Sequence, residues 1–313
     1  MRKVACLLLS GAMVVSLLGS TVAFAAENEM NISDLEAVGE IGFEFMPVER
    51  SVKQADSELL AASNMDEIAE ISKRRFEADP SNYSEEKIAH VASVMSEYDL
   101  IENSTDGIVA IADESDYVIG NKSIVAFFCI EDGVSALDVA TAKSLADDAA
   151  TNAETAYPNQ SDAGGLRDSY RHFTWNHMMT EELSKSDARI IACNYEWAAI
   201  LLDYAQDTYQ EYLDDGLSTT SAAYKACLYA YYLREDYYSV CAAGQAYFAA
   251  IFDKAAVRDL WNNCYGRAYA EDYSYTYGTA FYVAKANNEL INSDSAVTDS
   301  HINSVWSWDW YTA

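Results

Sequence analysis

DSYRHFTWNHMMTEEL, residues 168–183, sets two histidines, an arginine, an aspartate and an asparagine among Trp, Phe and Met. No Pro or Gly interrupts it, and Gly164-Gly165 stands just before it, so the composition predicts a helix over 167–184. At 100° per residue, Asp168, His172, Asn176 and Met179 fall within about 40° of one line, with Leu183 beside them and Trp175 further round. The face that should enter the core therefore carries a polar line. His177 falls on the far side with Thr174 and Glu181, where solvent is expected. A buried polar line must be hydrogen-bonded, or each group costs on the order of 1–3 kcal/mol. The partners of His172 must come from elsewhere in the chain.

A second stretch offers them. In FDKAAVRDLWNNCYGRAYA, from Phe252, the residues Asp259, Asn263 and Arg267 form a line at spacings of four. Phe252, Ala256 and Ala270 flank that line, and Gly266 lies near it, where the missing Cβ permits close approach of another helix. Trp261, Cys264 and Ala268 form a separate apolar side. Two helices with matched polar seams predict that the seams face each other, held by charge-assisted hydrogen bonds.

The rest of the chain reads as helix. Proline occurs three times in 313 residues. Helices are expected over 33–46, 54–78, 84–100, 134–156, 187–213, 219–233, 235–251, 253–272 and 277–290. Residues 107–130 read equally as one or two short strands or as buried helix turns. At the C-terminus Trp306, Trp308 and Trp310 alternate at period two, which argues an extended aromatic tail. That tail either docks on its own domain or forms a patch for glycan or cell wall. The fold class is an all-α multi-helix bundle. The expected division is a signal peptide over 1–25, a mostly helical region over 26–130, a helical domain carrying both seams over 131–290, and the tail over 291–313.

Arg2-Lys3, the apolar run Val4–Leu18 and Ala23-Phe24-Ala25 have the form of a secretory signal peptide, which predicts a secreted or cell-wall-associated protein. No later segment is apolar enough to span a bilayer. The net charge is −30, and loss of Arg2 and Lys3 makes it −32. A surface that acidic disfavours nucleic acid and anionic membranes as partners. Beyond the expected signal peptide, which carries Cys6, the cysteines Cys129, Cys193, Cys227, Cys241 and Cys264 are odd in number and widely spread, and no C-x-x-C occurs, so buried free thiols are expected rather than a disulfide framework or a zinc ribbon.

The motifs R-H-x-x-W-N after an aspartate and D-L-x-N-N-x-x-G-R resemble an uncharacterised bacterial family, the domain-of-unknown-function family numbered 6973. The resemblance covers roughly residues 130–290. Carried over residue by residue, it implies a site of Asp168, Arg171, His172, Trp175 and Asn176, then Glu196, then Asp259, Asn262, Asn263, Gly266 and Arg267. The family's histidine before the glutamate is Tyr195 here, which weakens a two-histidine site. The helical wheel also sets Glu196 on the polar side of its helix, with Arg189, Asp203 and Asp207. The family implies no reaction.

Two functions follow from the residues. The first is a secreted binding or interaction module whose buried seam fixes helix register, with the aromatic tail or the Tyr-rich segment making contact with a cell-wall or extracellular ligand. The alternative is a secreted hydrolase with His172 as general base, Asp168 or Asp259 orienting it, and Asn and Arg side chains stabilising charge. No G-x-S-x-G or H-E-x-x-H occurs. No cofactor is implied; a metal-dependent variant would use His172 with Asp168, Asp259 or Glu196, but no metal is assigned, because zinc sites usually take more inward His or Cys than this chain supplies.

Overall fold

A computed structural model describes residues 55–79, 84–97, 119–161, 163–272 and 274–313. Among them run twelve α-helices: α1 (Ser57–Ala61), α2 (Met65–Ala78), α3 (Glu85–Glu97), α4 (Asn121–Glu131), α5 (Ala136–Ala156), α6 (Leu166–Glu182), α7 (Lys185–Asp214), α8 (Thr219–Ala243), α9 (Gln245–Ile251), α10 (Lys254–Asp272), α11 (Tyr277–Ala286) and α12 (Asp299–Ser307). The described chain is an all-α multi-helix bundle. No described helix is long and apolar enough to cross a membrane. The signal peptide, the helix expected over 33–46 and the ambiguous segment 107–118 lie outside the described residues.

Local chemistry sets the helix ends. Ser135, Ser184 and Ser218 each cap a helix by accepting a backbone N–H three residues on, as short hydroxyl side chains do at N-termini. Gly216 follows α7 at φ 86°, a left-handed conformation that glycine takes without strain. The stretch 121–131 is helix rather than strand, with Ser123–Cys129 all buried.

Three expectations are corrected. The break placed after 233 does not occur, because Arg234 lies inside the bundle and α8 runs on until Gly244. The segment 54–78 is two helices, since Asn64 caps a new one. The tail is not extended: residues 299–307 form α12, and Thr298 and His301 close its first turn reciprocally. Its period-two tryptophans serve different contacts. Trp306 donates to the Cys241 carbonyl at 2.9 Å, and Trp310 packs 5.3 Å from the Trp261 ring. Tyr311 and Trp310 are buried.

The apolar core is continuous from Ala55 to Tyr311. At its centre Trp197 meets Phe252 at 4.7 Å and Tyr238 at 4.9 Å, both edge-on, as ring quadrupoles favour. The Trp197 indole N–H donates to the Tyr311 carbonyl at 2.7 Å and ties the C-terminus to α7. The Tyr-rich α8 is core as well, with Tyr224, Tyr229, Tyr237 and Tyr238 buried. Cys129, Cys193, Cys227, Cys241 and Cys264 are buried free thiols. Burial pushes Cys129 and Cys227 up to about 12 and Cys264 up to about 11, so they stay protonated and inert.

The α6–α10 pair positions the candidate site. His172 meets Asn263 and Asn176 meets Arg267 at one constant offset along the two helices, so α6 and α10 run parallel and in register. Gly266 makes the approach possible: a Cβ there would lie 2.3 Å from the Phe173 carbonyl oxygen. On its other side α6 packs on α5, where Trp175 donates to the Ala142 carbonyl at 3.0 Å.

Candidate functional site

The two seams do face each other. Asp168 (2 % exposed), His172 (3 %), Asn176, Asn263 and Arg267 are all buried along the α6–α10 contact, and Asp259 stands at its edge. The order along the seam begins with charge. Arg258 donates to both Asp168 and Asp259, and to Asp294 at the surface. Asp168 also accepts from the Gly164 backbone N–H at 3.0 Å and from Arg171 at 2.5 Å. At the other end Arg267 donates to Asn176 Oδ1 at 2.6 Å.

This network assigns the His172 tautomer. Asn263 Oδ1 accepts from Asn176 Nδ2 at 2.7 Å, while its amide nitrogen faces Glu196 at 3.3 Å. The oxygen of Asn263 is thereby turned toward His172, whose Nδ1 lies 3.1 Å away and must donate. Nε2 lies 3.3 Å from a guanidinium nitrogen of Arg171, which can only donate, so Nε2 is placed as the acceptor. It also faces Asp168 Oδ1 and Asp259 Oδ2, each 3.6 Å off. The ligand atoms of Asp168, His172 and Asp259 lie within 4.8 Å of one another.

Glu196 is the first correction. The wheel put it on the solvent side of α7, yet it is 5 % exposed, 3.8 Å from His172 Nδ1. The helix α7 packs against α4, α8, α6 and α10, so no single face of it is the buried one. Burial, reinforced by the Asp259 charge, pushes the Glu196 carboxyl well above its ordinary range. Burial likewise raises Asp259, against the charge and hydrogen bond of Arg258. Crowding Glu196 and Asp259 at one buried site disfavours their simultaneous ionisation.

His177 is the second correction. It was expected in solvent and is fully buried, because α11 and α10 cover the side of α6 opposite α5. Its ring lies 6.4 Å from Phe173, and Glu181 Oε2 stands 3.3 Å from Nδ1 without hydrogen-bond alignment. Burial lowers its pKa to about 4, so it is neutral at physiological pH.

Not every residue of the two motifs converges on His172. Trp175 reaches α5. Asn262 turns to the other side of α10, where it exchanges two hydrogen bonds with the Ile291 backbone at 2.9 and 3.1 Å. Arg171 is one-third exposed and lines a cleft of about 380 Å³ with Arg167 and Glu154. The Tyr195 ring stands edge-on to His172 and to Trp175, with ring centroids 6.3 and 5.4 Å apart.

Sequence reasoning missed Arg258, the residue that joins the two aspartates. It sits next to Asp259 and so falls off the four-residue line; the signal was its place between Val257 and Leu260 in a turn that is buried all round. A second buried network was missed too. Arg234, fully buried, holds Asp132 through two bonds of 2.8 Å and also donates to Asn194. It lies among the rings of Phe128, Tyr231 and Tyr238.

The parallel register has a further result: α6 and α10 end together. Glu181, Glu271, Asp272, Tyr275 and Tyr277 line an open cleft of about 670 Å³ at that end. No protein-family model, curated protein or solved structure matches this chain.

Proposed function

We propose that the chain is an exported binding module that takes a cationic extracellular or wall-associated ligand in the cleft where α6 and α10 end. The observation that carries this reading is the parallel pairing. Two helix C-termini side by side sum their negative dipole ends, each equivalent to about half a charge. Three carboxylates, Glu181, Glu271 and Asp272, line the same cleft, with Tyr275 and Tyr277 as aromatic surfaces for a cation. Desolvation and the neighbouring Glu182 raise the Glu181 carboxyl, the signature of a group that gains by acquiring a positive partner. Lys185 already pairs with Glu271, a small-scale version of the proposed contact. The buried seam has the role of a lock that holds both helix ends at this cleft.

This differs from a contact through the aromatic tail or the Tyr-rich segment, since both are built into the core. Kinship with the family numbered 6973 is part of the same proposal, on the two motifs already described.

The test is calorimetric titration of the mature chain with tetralysine and spermidine. Glu181→Gln with Asp272→Asn should weaken binding about tenfold or more, and added salt should weaken it further. The control pair Asp203→Asn with Asp207→Asn, both exposed on α7, should leave affinity unchanged. Equal affinity for all three proteins would mean diffuse attraction to an acidic surface, and the cleft reading would fall.

The hydrolase reading keeps one observation in its favour. His172 turns Nε2 toward Asp259, whose carboxyl is shifted upward, while the likewise raised Glu196 stands on its Nδ1 side, a pattern enriched at catalytic sites. Against it, His172 is covered, and Arg171 stands between the ring and the nearest cleft.

A further inference from the structure

We propose that Asp168, His172 and Asp259 form a site for a first-row divalent cation, and that the Arg171 guanidinium is a built-in counter-cation which the metal displaces. The proposal does not depend on the α6–α10 end cleft, whose residues it does not share.

Three observations lead there. The first is the ligand set. One imidazole nitrogen and two carboxylate oxygens, from two rigid helices, lie within 4.8 Å of one another. The separations of 3.6 Å from Nε2 to each carboxylate oxygen are too long for hydrogen bonds. They match two ligands sharing one ion about 2.0–2.2 Å from each. One nitrogen and two oxygens make a mixed three-ligand set that leaves further coordination positions for water.

The second is the orientation of the histidine. Its Nδ1–H is held by the Asn263 side-chain oxygen at 3.1 Å, and Asn263 is itself fixed by Asn176 and Glu196. Metal-binding histidines are commonly oriented in this way, with the second ring nitrogen donating to an oxygen. Nε2 is thus aimed at two carboxyl oxygens, neither of which is within hydrogen-bond distance. Register locking alone would be served by an amide at position 172.

The third is that a cation stands beside Nε2 and Asp168. Arg171 places one guanidinium nitrogen 2.5 Å from Asp168 Oδ1 and 3.3 Å from His172 Nε2. Its side chain is one-third exposed and borders the cleft that contains Glu154. Arg171 therefore has somewhere to go: rotation outward exchanges Asp168 for Glu154. Arg258 keeps its bonds to Asp168 and Asp259 throughout, on the far side of both carboxylates from the imidazole. Glu196 faces Nδ1 rather than Nε2 and is not a ligand.

The experiment uses the untagged mature chain, stripped with chelator, titrated with Zn²⁺ by calorimetry and with Co²⁺ by visible absorption. Wild type should bind one Zn²⁺, and one Co²⁺ should give a d–d spectrum with nitrogen ligation. Arg171→Gln removes the competitor and should tighten Zn²⁺ binding at least tenfold. Asp259→Asn should weaken it at least a hundredfold. Both residues reach the surface, and near-ultraviolet circular dichroism confirms that each variant retains the native fold before titration. Should Asp259→Asn misfold, Asp259→Glu replaces it, with an altered Co²⁺ spectrum expected. Zinc affinity unchanged in Arg171→Gln, or a stoichiometry and spectrum common to all variants, would overturn the proposal.

Discussion

Gly266→Ala is expected to destabilise the protein by about 3 kcal/mol or more, despite alanine's better helix propensity. In an exposed helix the same change would stabilise by about 0.5–1 kcal/mol. Here the new methyl would lie 2.3 Å from the Phe173 carbonyl oxygen and 3.1 Å from Asn176 Cβ. The first is a backbone atom in the middle of α6 and has no rotamer with which to retreat. The helices must separate, and separation lengthens the His172–Asn263 and Asn176–Arg267 bonds that the parallel register maintains. The loss therefore combines overpacking with a loosened polar seam. Urea unfolding of wild type and Gly266→Ala measures it. A variant as stable as wild type would mean that α6 and α10 do not approach this closely.

Arg234→Ala should cost about 3–5 kcal/mol, the usual penalty for breaking one side of a buried ion pair. Burial alone would raise the Asp132 carboxyl; the Arg234 bonds and charge overcome that and hold it below the usual carboxylate range. Without Arg234, Asp132 loses its cationic partner, the Asn194 oxygen loses its Arg234 donor, and three aromatic rings lose their central packing partner. Acid should erode the wild-type contribution: a carboxyl with a lowered folded pKa stabilises above its unfolded pKa and loses that contribution as pH falls through the folded one. The informative companion is Arg234→Met with Asp132→Leu, which removes both charges and should recover most of the loss. The check is the urea midpoint of each variant at neutral pH, and a loss under 1 kcal/mol in Arg234→Ala would contradict this description of the network.

The seam was legible because it obeys the one rule that sequence displays directly. Polar residues at spacings of four on each of two helices, with a glycine beside one line, specify a face and a close partner. Where a helix is packed on one side, such a rule suffices. It failed for Glu196 and His177 because α7 and α6 are covered on several sides, and a wheel divides a helix into only one inside and one outside. Arg258 was missed for a related reason: adjacent residues point about 100° apart, yet a long side chain bridges that angle to reach both aspartates. The aromatic tail misled because period two also arises when a short helix and its closing turn bury alternate tryptophans against different neighbours. The cleft where α6 and α10 end was not legible at all. It follows from the helices being parallel, and only the pairing offset between Asp168-His172-Asn176 and Asp259-Asn263-Arg267 reveals that direction.

The central claim is that these two lines are one interlocked, in-register structure. A double-mutant cycle on Asn176→Ala and Arg267→Met, read by urea unfolding, tests it most directly. The two side chains meet at 2.6 Å in a buried environment. The expected result is a coupling energy on the order of 1–3 kcal/mol, the double variant losing less than the sum of the singles. Additivity within about 0.5 kcal/mol would mean that Asn176 and Arg267 do not touch, and the parallel pairing of α6 with α10 would be wrong.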